Sequence, residues 1–347
     1  MKTGIVYHSD YLKHETGSHP ERKERLIAVM NLLEAKNVLR KLAPIEPRSA
    51  LLDEIALIHD REYIDNLKIL CETGGGRLNM DTIVSAQSYE VALLAAGGVL
   101  NALNAVLKSS FNNAFALVRP PGHHAERNQG MGFCLFNNIA IAARYLQQKH
   151  GIKRILIVDW DLHHGNGTQN AFYNDPSVLY FSTHQSPAYP GTGMIQEVGS
   201  DEGEGYTVNV PLSYGKGDSD YLYVFEEILI PIAKQFNPEF ILISAGQDIH
   251  FDDPLGSMFV TALGFEKLAA VVKEIARETC RGRLVAALEG GYSLTGLSYG
   301  VLAILNAIGD LDVKFEEPLQ RPQDKLAEAT KKSVKEVKEI QSSYWKL

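Results

Sequence analysis

The stretch "ILIVDWDLHHGNG", Ile155 to Gly167, holds the key to the fold. Four aliphatic residues run without a turn into Asp159, Asp161, His163 and His164. The aliphatic run reads as a strand buried on both faces, where desolvation penalises charge most heavily. Ionisable groups at its end need a purpose. Either the aspartates cap a following helix and the histidines are solvated, or the set converges on a common partner such as a bound ion.

The rest of the sequence repeats the pattern. "TGIVYH" (3–8), "AFALV" (114–118), "RILIVD" (154–159), "VLYFS" (178–182), "FILISA" (240–245) and "LVAALE" (284–289) read as strands, nearly continuous in apolar residues. Between them Pro20–Lys36, Ser85–Leu107, Asn137–His150, Ser219–Phe236 and Thr261–Cys280 read as helices. Such alternation predicts an α/β fold, an open and mostly parallel sheet with helices on both faces. A chain of 347 residues, 45% hydrophobic and 22% charged, has ample material for one large core. We expect a single domain over 1–347. Its lysine-rich tail, 321–347, reads as a helix packed on the domain's back, or else as a partner-binding segment.

Polar residues follow the strands at one end. His123 and His124 lie just beyond "AFALV", Asp159, Asp161 and His163 close "RILIV", and Thr183 and His184 follow "VLYFS". Asp248 follows "FILISAG", and Tyr292 follows "LVAALEGG". In open parallel sheets that end binds ligands. Residues at i and i+2 of an extended segment share a side, so Asp161 and His163 can face one ion. Asp248 can complete the set from a neighbouring strand, leaving positions open as in a catalytic zinc site. Asp159 can orient another group on that face. A histidine of the pair His123–His124 can relay a proton, and the Tyr292 phenol can donate to a developing oxyanion. These are the parts needed to hydrolyse an amide.

Other features narrow the class. A net charge of −8 argues against a broad nucleic-acid-binding face. No apolar run reads as long enough to cross a bilayer, and "MKTGIVYHSD" shows no secretory core. Cys71, Cys134 and Cys280 lack metal-like spacing, and a reduced, cytoplasmic setting is expected. "CETGGGRLNMD" (71–81) lacks the Gly-Lys-Ser/Thr ending of a phosphate loop and reads as a flexible surface loop.

The motifs "RPPGHHA" (119–125), "DWDLHHGNGTQ" (159–169), "PGTG" (190–193), "SAGQDIHFDDPLG" (244–256) and "EGGY" (289–292) together resemble the histone deacetylase family of the arginase/deacetylase superfamily. The resemblance covers His19 to Tyr292, and "HETGSHPERKERL" (14–26) resembles the entrance loop of its class II-like, bacterial and archaeal branch. It implies zinc bound by Asp161, His163 and Asp248. It also implies His123 and His124 as the catalytic pair, with Asp159 behind His123 and Tyr292 polarising the acyl carbonyl. A structural potassium ion would take Asp159, Ser182 and backbone carbonyls of Asp161, His163 and Thr183. Phe133 and Tyr189 resemble the aromatic pair that sandwiches an acyl-lysine stem. Asn166 stands where another branch has an Asp behind the second histidine.

The implied substrate is an acyl-lysine protein or a small N-acetylated amine, with oligomerisation open. A polyamine deacetylase would be expected to carry an acidic residue at the pocket mouth, where "DDPLG" has Leu255. An arginase-like two-metal site needs an Asp-x-Asp that Asp248-Ile249-His250 does not supply. A non-catalytic acyl-lysine binding module would typically have lost a metal ligand or the tyrosine, and this chain keeps all of them.

Overall fold

All six apolar runs form strands. The computed structural model describes residues 2–108 and 111–347. Its strands are β1 (Thr3–Val6), β2 (Ala43–Ile45), β3 (Gly75–Arg77), β4 (Ile83–Ser85), β5 (Asn113–Ala116), β6 (Ile155–Asp159), β7 (Val178–Gln185), β8 (Thr207–Leu212), β9 (Phe240–Ala245) and β10 (Leu284–Leu288). Eight of them form one sheet in the order β2-β1-β5-β10-β9-β6-β7-β8. Every pairing in it is parallel. The inner strands β5, β6, β9 and β10 are buried at every residue, which is why they read as unbroken apolar runs.

The two edges escaped the sequence reading. β2 is "API" and β8 is "TVNVPL", each with a proline that an inner strand would exclude. Short or polar edges are also what a sheet needs to resist edge-to-edge pairing.

Register sets the level at which the strands deliver their side chains. Asp159 pairs with Ser182 on β7 and Ser244 on β9, Ser244 with Ala287 on β10, and Ala287 with Ala116 on β5. Five carboxyl ends therefore open at one height, and their loops meet in one crevice.

Two sets of helices cover the sheet. Glu24–Ala35, Ala262–Cys280 and Leu294–Gly309 pack together, and Ser88–Leu107 packs with Asn138–His150. Both sets touch β1 and β5. Helices Leu294–Gly309 and Arg61–Glu72 went unread in the sequence. The segment expected as one helix over 219–236 is interrupted by a π-turn at Phe225–Leu229, one residue short of Pro231. Proline has no N–H for the ladder, and the wider turn accommodates the gap.

One expectation is corrected outright. Ser88–Leu107 is long and apolar enough to span a bilayer. Its small residues instead pack it into the protein, against β1, β5, β10 and Asn138–His150. The tail forms a helix at Glu328–Gln341 against β8. Trp345 Nε1 donates to the Gly205 carbonyl at 2.8 Å, and Gln341 Nε2 to that of Thr207 at 3.0 Å.

The loop after β5 is pinned by a buried imidazole. His59 Nε2 accepts from the Asn137 N–H at 2.9 Å, so its proton sits on Nδ1 and is donated to the Glu126 carbonyl at 2.8 Å. Burial lowers His59 to about 4, against the opposing pull of the carbonyl. Its ¹⁵N signals should keep the neutral, Nδ1-protonated pattern down to about pH 5. A titration centred near pH 6.5 would contradict this placement.

Candidate active site

The end of β6 delivers Asp161 and His163 side by side, and the loop after β9 brings Asp248 against them. His163 Nδ1 lies 3.2 Å from Asp161 Oδ1 and 3.1 Å from Asp248 Oδ2. The outer oxygens are committed elsewhere. Asp161 Oδ2 accepts from Gly290 N at 2.8 Å, and Asp248 Oδ1 from Leu162 N at 2.9 Å. Two inner oxygens and one imidazole nitrogen thus converge, all within 4.8 Å of one another. Ligands about 2.0–2.1 Å from a tetrahedral zinc lie roughly 3.3 Å apart, so this donor set has the spacing of a zinc half-shell. Both carboxylates are fully buried, a costly arrangement unless a cation balances them.

A second trio, His123, Cys134 and Glu289, also has its donor atoms close together. There Glu289 Oε2 already accepts from Gly122 N at 2.6 Å and His123 N at 3.2 Å, while Oε1 accepts from Ser244 Oγ at 3.2 Å. It is a brace between β10 and the loop after β5. Burial pushes its carboxyl up to about 7, and His123 opposes that shift.

His123 and His124 stand over the convergence point, ring centroids 4.0 Å apart. Their partners differ. His123 Nδ1 lies 3.1 Å from Asp159 Oδ2, which also accepts from Tyr180 OH at 3.1 Å. His124 Nδ1 lies 2.7 Å from Asn166 Oδ1. Burial penalises charge on His123, but Asp161 and Asp159 overcome it and raise the group to about 10. A cation seated between Asp161 and Asp248 would offset part of that field. Burial and the rings of His123 and His163 push His124 well below the ordinary histidine value. One ring is built to carry charge and its neighbour to stay neutral.

The cavity above these groups has a volume of about 230 Å³. Asp81, Pro121, His123, His124, Phe133, His163, Tyr189 and Tyr292 line it with Gly132 and Gly290. Phe133 meets Tyr292 edge-on at 5.8 Å, and Tyr189 meets His124 at 5.1 Å. The Tyr292 loop is held on both sides. Arg25 donates to the carbonyls of Gly291 and Glu289, both at 2.6 Å, and its guanidinium lies 5.0 Å from the Tyr292 ring centroid. Asp253 accepts from the Tyr292 N–H at 2.5 Å. Burial raises the phenol well above its ordinary value, so it remains a donor.

Several sequence readings need correction. His164 and His184 do not enter the cavity. His164 bonds Thr192 Oγ1 at 2.7 Å and Gln169 at 3.0 Å, and His184 donates to the Gly193 carbonyl at 2.9 Å. They buttress the "PGTG" loop that follows Tyr189. The glycine-rich segment 71–81 is not a plain surface loop, because Gly75–Arg77 pairs antiparallel with Ile83–Ser85. The hairpin carries Asp81 into the cavity wall, where Asp81 Oδ1 accepts from Gly132 N and Thr82 Oγ1 from Phe133 N, both at 3.1 Å. Leu255 does not line the cavity. It is exposed, its N–H held by Asp253, the residue that also holds Tyr292. Asp81, Arg25, Asp253 and Glu289 were not assigned roles from sequence. Their only signal was their place inside quoted segments, Asp81 in "CETGGGRLNMD", Arg25 in "HETGSHPERKERL", Asp253 in "SAGQDIHFDDPLG" and Glu289 in "EGGY".

Comparison with known proteins gives this geometry its context. The Histone deacetylase domain family matches residues 19–308. The chain belongs to the histone deacetylase family. Its activity is the family's, hydrolysis of an amide C–N bond. A probable deacetylase of Archaeoglobus fulgidus is 45% identical over 100% of this chain and 99% of its own length. Histone deacetylase 14, chloroplastic, of Arabidopsis thaliana is 40% identical, covering 92% of this chain and 82% of that protein. The crystal structure of the HDA15 HD domain superposes with a TM-score of 0.91 at 37% identity, over 99% of this chain and 95% of that one.

Among these deacetylase loops, "GMGFC" takes the most demanding backbone. Gly132 and Phe133 both adopt positive φ, 55° and 71°. A Cβ on Gly132 would lie 2.3 Å from His124 Cδ2. Gly132→Ala should therefore cost about 1–3 kcal/mol in denaturant unfolding and shift the His124 ring resonances. A variant with wild-type stability and an unmoved His124 would contradict this packing.

Proposed function

We propose that the chain is a zinc-dependent deacylase that removes acetyl or other acyl groups from lysine side chains or similar N-acyl amines. The observation that carries the reading is the convergence of Asp161 and Asp248 on His163, in the wall of a cavity that also holds two unlike histidines and a protonated tyrosine. Zinc held by these three residues would supply Lewis acidity toward the amide carbonyl and toward water. The remaining work belongs to side chains. His124, kept neutral, accepts a proton from the attacking water and returns one to the leaving amine. His123, backed by Asp159, stabilises developing negative charge. Tyr292 donates its phenol proton in a hydrogen bond to the oxyanion. Phe133 and Tyr189 enclose the methylenes of the stem, whose burial contributes about 25 cal/mol per Å².

A potassium ion beneath the site is part of the same proposal. Asp159 is fully buried, and among the described residues the carbonyls of Asp161 and His163 accept no hydrogen bond. Thr183 Oγ1 is buried without a partner. Oxygen-rich, under-satisfied surroundings of this kind suit a hard cation, with Ser182 and the Thr183 carbonyl completing the set. The packed tail supports reading 1–347 as one catalytic unit.

Leucine rather than an acidic residue at 255, on the Asp253 turn that holds Tyr292, favours a neutral stem over a polyamine, because it offers an ammonium nothing. The testing experiment is a hydrolysis panel of acyl-lysine peptides and acetylpolyamines with zinc-reconstituted protein. Wild type should prefer the peptides, and Leu255→Glu should raise relative kcat/KM for acetylpolyamines roughly tenfold in low salt. A strong wild-type preference for acetylpolyamines would transfer the reading to that class. Tyr292→Phe should lower activity by about 100-fold or more while keeping fold and metal. Asp161→Ala and Asp248→Ala should lose both zinc and turnover. Full turnover after exhaustive chelation would refute the metal role.

A further inference from the structure

His124 can act as a base only if its proton sits on the nitrogen away from the substrate, and Asn166 alone does not ensure that. An asparagine side chain is nearly symmetric in shape and can present either its oxygen or its NH2 group. With Oδ1 toward His124, the ring must donate from Nδ1, which leaves Nε2 bare. With the NH2 group toward His124, Nδ1 must accept, and the proton moves to Nε2. The first state is a base facing the cavity and the second is not.

The structure contains a group that discriminates between them. Asn166 Nδ2 donates to Glu126 Oε1 at 2.6 Å, and at the longer distance of 3.4 Å to the His124 carbonyl, so Glu126 is its closest acceptor. A carboxylate accepts and does not donate, so the Asn166 NH2 group is committed to Glu126 and Oδ1 is left for His124, at 2.7 Å. Asn170 Nδ2 donates to the same Glu126 oxygen at 2.8 Å, from one helical turn further along Asn166–Phe172. Glu126 is itself fixed through its backbone. Its N–H donates to the Gln129 carbonyl at 2.9 Å, and its own carbonyl accepts from His59. The carboxylate lies behind the active site, on the wall of a separate cavity of about 370 Å³ that Arg127, Arg144 and Asn170 also line. It touches neither the substrate cavity nor the metal trio.

We propose that Glu126 is a positioning residue for proton transfer, which orients the Asn166 amide and thereby holds His124 in the Nδ1-protonated tautomer. This rests on the reading of His124 as the general base. The sequence gives a reason for the device. A carboxylate in the place of Asn166 would have no donor face and would need no orientation, whereas the asparagine requires a third group to choose its face.

The test combines kinetics with the tautomer itself. In the zinc-loaded wild type, ¹⁵N NMR should show His124 protonated on Nδ1 and bare at Nε2. An Nε2-protonated ring would overturn the proposal without any variant. Glu126→Ala should lower kcat by about tenfold or more with little change in KM, and should mix the two His124 tautomers. Glu126→Gln should restore most of that loss, because two NH2 donors, from Asn166 and Asn170, hold its amide oxygen inward. A role confined to stability would instead lower the unfolding midpoint and zinc content in step with activity and leave the tautomer unchanged. That result, or an alanine variant with wild-type kcat, would also overturn the proposal. If wild type hydrolyses no acyl amide while the Nδ1 tautomer still depends on Glu126, the deacylase reading fails and the positioning claim survives.

Discussion

Asp161 and Asp248 are two fully buried carboxylates whose inner oxygens face a single imidazole nitrogen about 3 Å away. Left to themselves they would repel, and one would take up a proton. Much of the surrounding architecture reads as the means of holding them there. The backbone N–H groups of Gly290 and Leu162 bind the outer oxygens, so neither carboxylate can rotate away from the other. The parallel sheet supplies the levels, because its register brings β6 and β9 to their ends together. Glycines at 246 and 290 make room, since a Cβ at either would lie within 2.3 Å of one of the two carboxylates.

Around that centre the groups are arranged in pairs of unlike character. His123 is backed by a carboxylate and His124 by an amide. Asp161 and Asp159 raise the first against burial, while burial and the rings of His123 and His163 lower the second. Tyr292 is held by a cation on one side and a carboxylate on the other, while its own hydroxyl remains protonated. Such divisions of labour need rigid support, and the support is polar and buried. Glu21 joins Arg25 and Arg119 beneath the tyrosine, with Arg119 Nε at 2.5 Å and Arg25 Nη1 at 3.0 Å. Losing one member would leave uncompensated charge in the interior, so these positions matter to the fold as much as to the chemistry.

Much of this was legible in the sequence because two signals were strong there. Inner parallel strands are apolar on both faces, and their carboxyl ends carried polar residues in a recognisable order. The edges β2 and β8 were not legible, since prolines and polar residues remove the strand pattern at a sheet's border. Helix Leu294–Gly309 is apolar around its circumference and so lacks the one-faced periodicity by which helices are recognised. The site's supporting residues were hidden for a different reason. Asp81 reaches the cavity through a hairpin whose glycines look like a loop, and Glu126 acts through Asn166 across forty residues of chain. His164 and His184 misled because ionisable residues at strand ends serve loops as readily as ligands.

The central claim is that one imidazole and two carboxylates, from the ends of β6 and β9, form the metal site. X-ray absorption at the zinc edge of the reconstituted protein addresses it directly. The account predicts one zinc per chain, nitrogen and oxygen neighbours at about 2.0–2.1 Å, a single-imidazole scattering signature and no sulfur. Two or more imidazoles, a sulfur shell near 2.3 Å, or no stoichiometric zinc would contradict it.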